Sequence, residues 1–108
     1  MTAISQAYTD RRLQYTADVL RAIAHPVRIQ MVNLIGEHEG MTVQELTDAL
    51  ELEQSITSQH LRILRQVQLV STRRDGKFIE YSLVKSRIDR LSSAVMRFLA
   101  EDKATATA

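Results

Sequence analysis

Apolar side chains recur from Ala7 to Ile23 at Leu13, Ala17 and Leu20 and reappear at Ala24, with Tyr8, Tyr15, Val19 and Ile23 on neighbouring rows. That spacing predicts one amphipathic helix with a wide apolar face. His25-Pro26 breaks it, and Pro26 suits the first position of a new helix, where its missing N–H has no intrahelical partner to lose. Val27, Met31, Leu34 and Ile35 form the core side of that second helix, which should end around His38 to Gly40. Thr42-Val43-Gln44-Glu45 then has the spacing of a capping box, in which the threonine hydroxyl and the glutamate carboxylate satisfy each other's backbone N–H groups. A short helix is expected from there to about Leu50, with Val43, Leu46 and Leu50 on one side.

Glu51, Leu52 and Glu53 connect it to a longer helix, Gln54 to Val67, which opens with polar and amide side chains and gains an apolar stripe at Leu61, Leu64 and Val67. At 1.5 Å per residue such a helix is ~20 Å long, enough to cross a DNA major groove with its first turns inside. Helix, tight connection and a second helix with a polar leading turn make a helix-turn-helix. Leu69 to Arg73 and Lys77 to Leu83 are rich in Val, Thr, Phe, Ile and Tyr, and Arg74-Asp75-Gly76-Lys77 joins them. The Asp-Gly pair predicts a type I′ turn and hence a β-hairpin. Ser86 to about Glu101 gives a last helix carrying Ile88, Leu91, Val95, Phe98 and Leu99. The expected fold is mainly α with a β-hairpin wing: a winged helix-turn-helix in the order α-α-α-α-β-β-α. One domain, 7–101, is expected between a flexible N-terminus, 1–6, and a disordered tail, 102–108.

These residues resemble the ArsR/SmtB family of small bacterial transcriptional repressors. Leu20-Arg21-Ala22-Ile23-Ala24-His25-Pro26-Val27-Arg28-Ile29 is similar to the family's opening pattern, Leu-x-x-Leu-Ala-Asp-Pro-Thr-Arg-hydrophobic. Val43-Gln44-Glu45-Leu46, Gln54-Ser55-x-x-Ser58-x-His60-Leu61-x-x-Leu64 and Arg74-Asp75-Gly76-Lys77-x-x-x-Tyr81-Ser82-Leu83 continue it in order. The resemblance implies that Gln54, Ser55, Ser58 and Gln59 face the DNA groove. It also implies a homodimer built through the first and last helices.

Composition narrows the function further. At 108 residues with 44% hydrophobic content, the chain supports a single core. Its net charge of +1 says little, since 14 basic residues are offset by 13 acidic ones. Placement says more: between Gln54 and Ile79 stand Arg62, Arg65, Arg73, Arg74 and Lys77 against the single acid Asp75. There is no cysteine, which excludes disulfides, thiolate metal sites and thiol switches. Neither a signal pattern nor an apolar run of the ~20 residues a membrane span needs is present, so a cytoplasmic protein is expected.

The reading face is thus Gln54, Ser55, Ser58, Gln59 and Arg62. Glutamine can pair with adenine, serine reaches several bases, and arginine suits guanine or phosphate. Arg73, Arg74 and Lys77 at the wing would hold flanking phosphates or enter the minor groove. Leu13, Leu20, Ile88, Leu91, Val95, Phe98 and Leu99 exceed what so small a core can use, and a two-fold dimer through them is expected, reading a palindromic operator with half-sites ~34 Å apart. Two positions depart from the family. Glu53 replaces a serine-type cap and would turn its charge towards phosphates; Thr57 replaces an aliphatic residue, so its hydroxyl should bond back to a carbonyl one turn earlier.

No metal site of the family's kind is present: the Cys-x-Cys position reads Thr42-Val43-Gln44, and the last helix has no histidine. His25 is expected at a helix boundary, His60 beside the apolar stripe and His38 in a solvated Glu37-His38-Glu39 loop. No catalytic residue and no cofactor is indicated, and the inducer stays open. Two other functions remain compatible with the pattern: a winged-helix module that docks a protein, for which Glu53 argues, and a repressor responsive to a small organic ligand near Tyr8, Tyr15 or Phe98.

Overall fold

The computed structural model describes the backbone of residues 10–107 and the side chains within it, except Phe98, Leu99 and those of 101–107. Among the described residues are five helices and three strands: α1 Arg11–Ile23, α2 Pro26–His38, β1 Met41–Thr42, α3 Val43–Leu50, α4 Gln54–Gln66, β2 Val70–Asp75, β3 Phe78–Leu83 and α5 Lys85–Thr107. The order is that of a winged helix-turn-helix with one strand added.

Local chemistry accounts for most boundaries. Asp10 caps α1, its carboxylate accepting from the Arg12 N–H at 2.8 Å. The expected start at Ala7, the segment 1–6 and Tyr8 lie outside the described residues. His25 caps α2 with Pro26 in the first turn, and its Nδ1 accepts from the Val27 N–H at 3.1 Å. The capping box of α3 is complete: the Glu45 N–H donates to the Thr42 hydroxyl at 3.1 Å, and the Thr42 N–H to the Glu45 carboxylate at 3.0 Å. Glu39, Glu51 and Gln68 adopt positive φ at the ends of α2, α3 and α4, sharp exits that glycine more often serves.

Three features differ from the pattern-based expectation. β1 is two residues long and pairs antiparallel with β3, giving the sheet order β1-β3-β2; a two-residue strand carries no readable alternation. The wing turn sits one residue later than expected. Asp75 pairs with Phe78, so Gly76-Lys77 is the two-residue loop. Gly76 has φ 62°, and Lys77 is not among the described residues with positive φ. A positive φ confined to the first loop position is the type II′ pattern rather than I′, and it places the glycine where the left-handed angle is needed without forcing the lysine there. Finally, α5 starts at Lys85 and is helical to Thr107, beyond the Glu101 at which the apolar repeat stops.

The core gathers Val19 and Ala22 of α1, Met31 and Ile35 of α2, Leu46 of α3, Leu61 and Leu64 of α4, and Leu69 and Val70 where the chain enters β2. Tyr15 ties α1 to the end of α4 by donating to the Val67 carbonyl at 2.8 Å. Val84 donates its N–H to the Leu69 carbonyl at 2.9 Å, which seats α5 beside the sheet.

Candidate nucleic-acid interface

The second helix of the motif, α4, is anchored on one side and free on the other. Thr57, Leu61 and Leu64 are fully buried and lie along its inner face. Gln54, Ser55, Gln59 and Arg62 are exposed and Ser58 half-buried, together forming the outer face. The 3.6-residue period requires this division, since 55, 58, 59 and 62 share a side from which 57, 61 and 64 point away. Ile56 and Ile63 flank that outer face at 39% and 36% exposure.

Two buried hydroxyls couple α4 to α3. Thr57 donates to the Glu53 carbonyl at 3.2 Å, the back-bond expected from its position, and it accepts from the Thr47 hydroxyl at 3.0 Å. Leu52 closes the connection by donating its N–H to the Thr47 carbonyl at 3.1 Å. Glu53 stands at the N-cap of α4 without a side-chain cap bond. Among the described residues the Gln54 and Ser55 N–H groups therefore find no acceptor, and free N–H groups at a helix start suit an anion.

The wing presents its cations unequally. Arg73 is tied across the strands to Glu80, Nη2 to Oε1 at 3.3 Å, so part of its charge is spent. Arg74 is exposed and has no ion-pair partner among the described residues. Lys77 is exposed at the turn with its Nζ 5.5 Å from the Phe78 ring centroid. Phe78 and Ile79 add apolar surface to the tip at 56% and 43% exposure.

Outside α4 and the wing, Leu13 and Leu20 of α1 are 52% and 48% exposed, and Val95 of α5 is 43% exposed. Ile88 and Leu91 of α5 are half-buried against the core. The Phe98 and Leu99 side chains lie outside those described, so their expected place at an interface is not located. Tyr15 is committed within the chain, since Arg87 donates to its hydroxyl while that hydroxyl donates to Val67. An open recess of about 510 Å³ beside it is lined by Arg65, Gln68, Val70, Ser71, Thr72, Val84 and Arg87.

Of the histidines, His38 belongs to the last turn of α2 and its Nδ1 lies 2.9 Å from the Leu34 carbonyl, a helical position rather than the loop expected from Glu37-His38-Glu39. His60 lies on α4 with Nδ1 3.2 Å from Nη1 of Arg28. Burial first, and then the charges of His25 and Arg28, hold His60 below the ordinary histidine value of 6.5. Sequence gives Arg28 no contact partner, because His60 stands 32 positions away. Among the described residues no group of three or more His, Cys, Asp or Glu is arranged to hold a metal ion, and no helix is long and apolar enough to cross a membrane.

An amphipathic helix held against its motif partner, followed by a basic hairpin, defines the class of winged helix-turn-helix DNA-binding domains. The family model for bacterial regulatory proteins of the arsR family matches residues 25–72. The biofilm growth-associated repressor of Xylella fastidiosa is 34% identical over 95 residues, covering 87% of this chain and 82% of that protein. The transcriptional repressor PagR of Bacillus anthracis is 30% identical over 87 residues, covering 76% and 87%. The crystal structure of Rv0081 from Mycobacterium tuberculosis superposes with a TM-score of 0.70 at 31% identity, covering 92% of this chain and 99% of that one. The chain belongs to the arsR family of bacterial regulatory proteins.

Proposed function

We propose that this protein is a transcriptional repressor that reads a palindromic operator as a homodimer. The observation that carries the reading is the division of α4, whose buried Thr57, Leu61 and Leu64 leave Gln54, Ser55, Ser58, Gln59 and Arg62 as one polar outer face. Those side chains are the donors and acceptors that base edges call for in a major groove. Arg73, Arg74 and Lys77 supply the wing, with Arg74 and Lys77 the freer cations, and they fix the register on flanking phosphates or in the minor groove. The role of repressor follows the named relatives, and the two-fold assembly follows the apolar Leu13, Leu20 and Val95, which a lone protomer leaves in water. The role is regulatory rather than catalytic, and it uses neither a metal nor a thiol.

Salt separates this reading from a winged helix that docks a protein, the alternative that the exposed Glu53 supports. Affinity for duplex DNA should fall steeply as salt rises, because each phosphate contact releases condensed counterions. An interface with an apolar centre would respond little. Isotherms on one duplex at two salt concentrations give the answer, and a flat response would overturn the DNA reading.

A further inference from the structure

Behind the reading face, α4 is held by a cluster in which every ionisable group is a base. Arg28, in the first turn of α2, reaches back to the end of α1, where its Nε donates to the Ala22 carbonyl and its Nη2 to the Arg21 carbonyl at 3.4 Å. Its Nη1 reaches forward to Nδ1 of His60 at 3.2 Å. The His60 ring packs on that of His25, centroids 4.8 Å apart and planes tilted by 54°. His25 in turn caps α2 by accepting the Val27 N–H on Nδ1. A guanidinium has only donors, so His60 must accept on Nδ1, and the backbone N–H demands the same of His25. Both rings fill these roles only when neutral.

We propose that the Arg28–His60 contact, backed by His25, is a positioning link that sets α4 against α1 and α2, and that protonation of His60 releases it, so that acidification weakens sequence-specific DNA binding. The proposal rests on α4 being the reading helix. The ionisable groups acting on His60 are both bases, His25 and Arg28. From α1 it meets backbone carbonyls through Arg28, while the Arg21 guanidinium is paired with Asp18. The carboxylates of α3 are engaged elsewhere, Glu45 in the capping box and Asp48 with the Gln44 amide. On β2, Asp75 closes the wing turn. The resembled family pattern has an aspartate where this chain has His25, and a carboxylate there would offset the guanidinium; here the imidazole leaves it without that counter-charge.

The sign of the effect identifies its cause. Added positive charge on a DNA-binding helix should raise affinity for any duplex. Release of the link should lower affinity for the preferred duplex, so the ratio of specific to nonspecific binding must fall. Because His60 is held below 6.5, its contribution is fully present above that value and is lost as pH drops through its own lower one.

The test is competition binding from pH 7.5 to 5.5 at constant ionic strength, with the duplex most enriched from a randomised pool against a scrambled one. The probes are the wild-type chain, His60→Gln, whose amide oxygen still accepts from Arg28 without titrating, and His25→Asn/His60→Gln, in which asparagine keeps the cap. The wild-type ratio should fall about tenfold, the scale of losing one hydrogen bond to a charged group. His60→Gln and the double variant should both hold their ratio. Melting at pH 7.5 verifies that the variants fold, and where His60→Gln alone does not, the double variant carries the comparison. A constant or rising wild-type ratio, or parallel profiles for wild type and variants, would overturn the link while leaving DNA reading intact. Absence of any duplex preference at pH 7.5 would overturn both.

Discussion

The Thr47 hydroxyl donates to the Thr57 hydroxyl across 3.0 Å of the buried seam between α3 and α4. Thr57 hands its own proton to the Glu53 carbonyl at 3.2 Å, so this chain of bonds has a direction. Thr57→Val should cost ~1–3 kcal/mol, because it strands the Thr47 hydroxyl in a site that water barely reaches. Thr47→Val should cost ~1 kcal/mol or less, since Thr57 keeps its bond to Glu53. Urea unfolding of the two variants and the double variant measures this, and equal single costs would contradict the direction assigned.

The capping box of α3 makes a separate contribution. Thr42→Ala should lose ~1 kcal/mol, the usual cost of removing a threonine cap. The Glu45 carboxyl is held below its ordinary value first by the Thr42 backbone N–H and then by the Thr42 hydroxyl. Its share of stability is therefore present above the ordinary carboxylate range and disappears as pH falls through the lowered value. Unfolding at pH 7 should separate wild type from Glu45→Ala, and unfolding at pH 2 should bring them together.

Gly40 connects the backbone to the wing. It has φ 137°, and a Cβ there would stand 2.7 Å from Oε1 of Glu80, the atom that holds Arg73. Gly40→Ala should lose about 1 kcal/mol or more, because a φ of 137° strains any side chain, while the Glu80 carboxylate can swing aside by giving up its contact with Arg73. A thermal melt unchanged by that substitution would contradict it.

The reading face and the wing should fail differently. Gln54→Ala and Ser58→Ala should each cost ~1–3 kcal/mol per lost base contact and relax sequence preference. Arg74→Ala should weaken binding to all duplexes and reduce the salt slope by about one. Affinities at several salt concentrations on matched and scrambled duplexes distinguish the two patterns. If neither change altered binding, both assignments would be wrong.

What was legible in the sequence was what is local. The Thr42–Glu45 box, the proline at the start of α2 and the back-bond of Thr57 each join residues within four positions, and apolar periodicity fixes which side of α4 turns inward. The features that escaped depend on residues far apart in the chain or on register. β1 exists only because β3 lies beside Met41 and Thr42. The Arg73–Glu80 pair requires the register of the hairpin, and a one-residue shift of the turn decides which loop position receives Gly76. Arg28 reads as a surface arginine of α2 until the fold brings its guanidinium to His60. In the reading face, the residue types were evident and so was their common side, whereas the unequal freedom of Arg73, Arg74 and Lys77 was not.

In the proposed homodimer, two copies of α4 would read a two-fold sequence. The most direct test is selection of bound duplexes from a randomised pool at low and moderate salt. Enrichment of a palindrome with half-sites about one helical turn, ~34 Å, apart is expected. Binding without enrichment, or no binding at either salt, would contradict it.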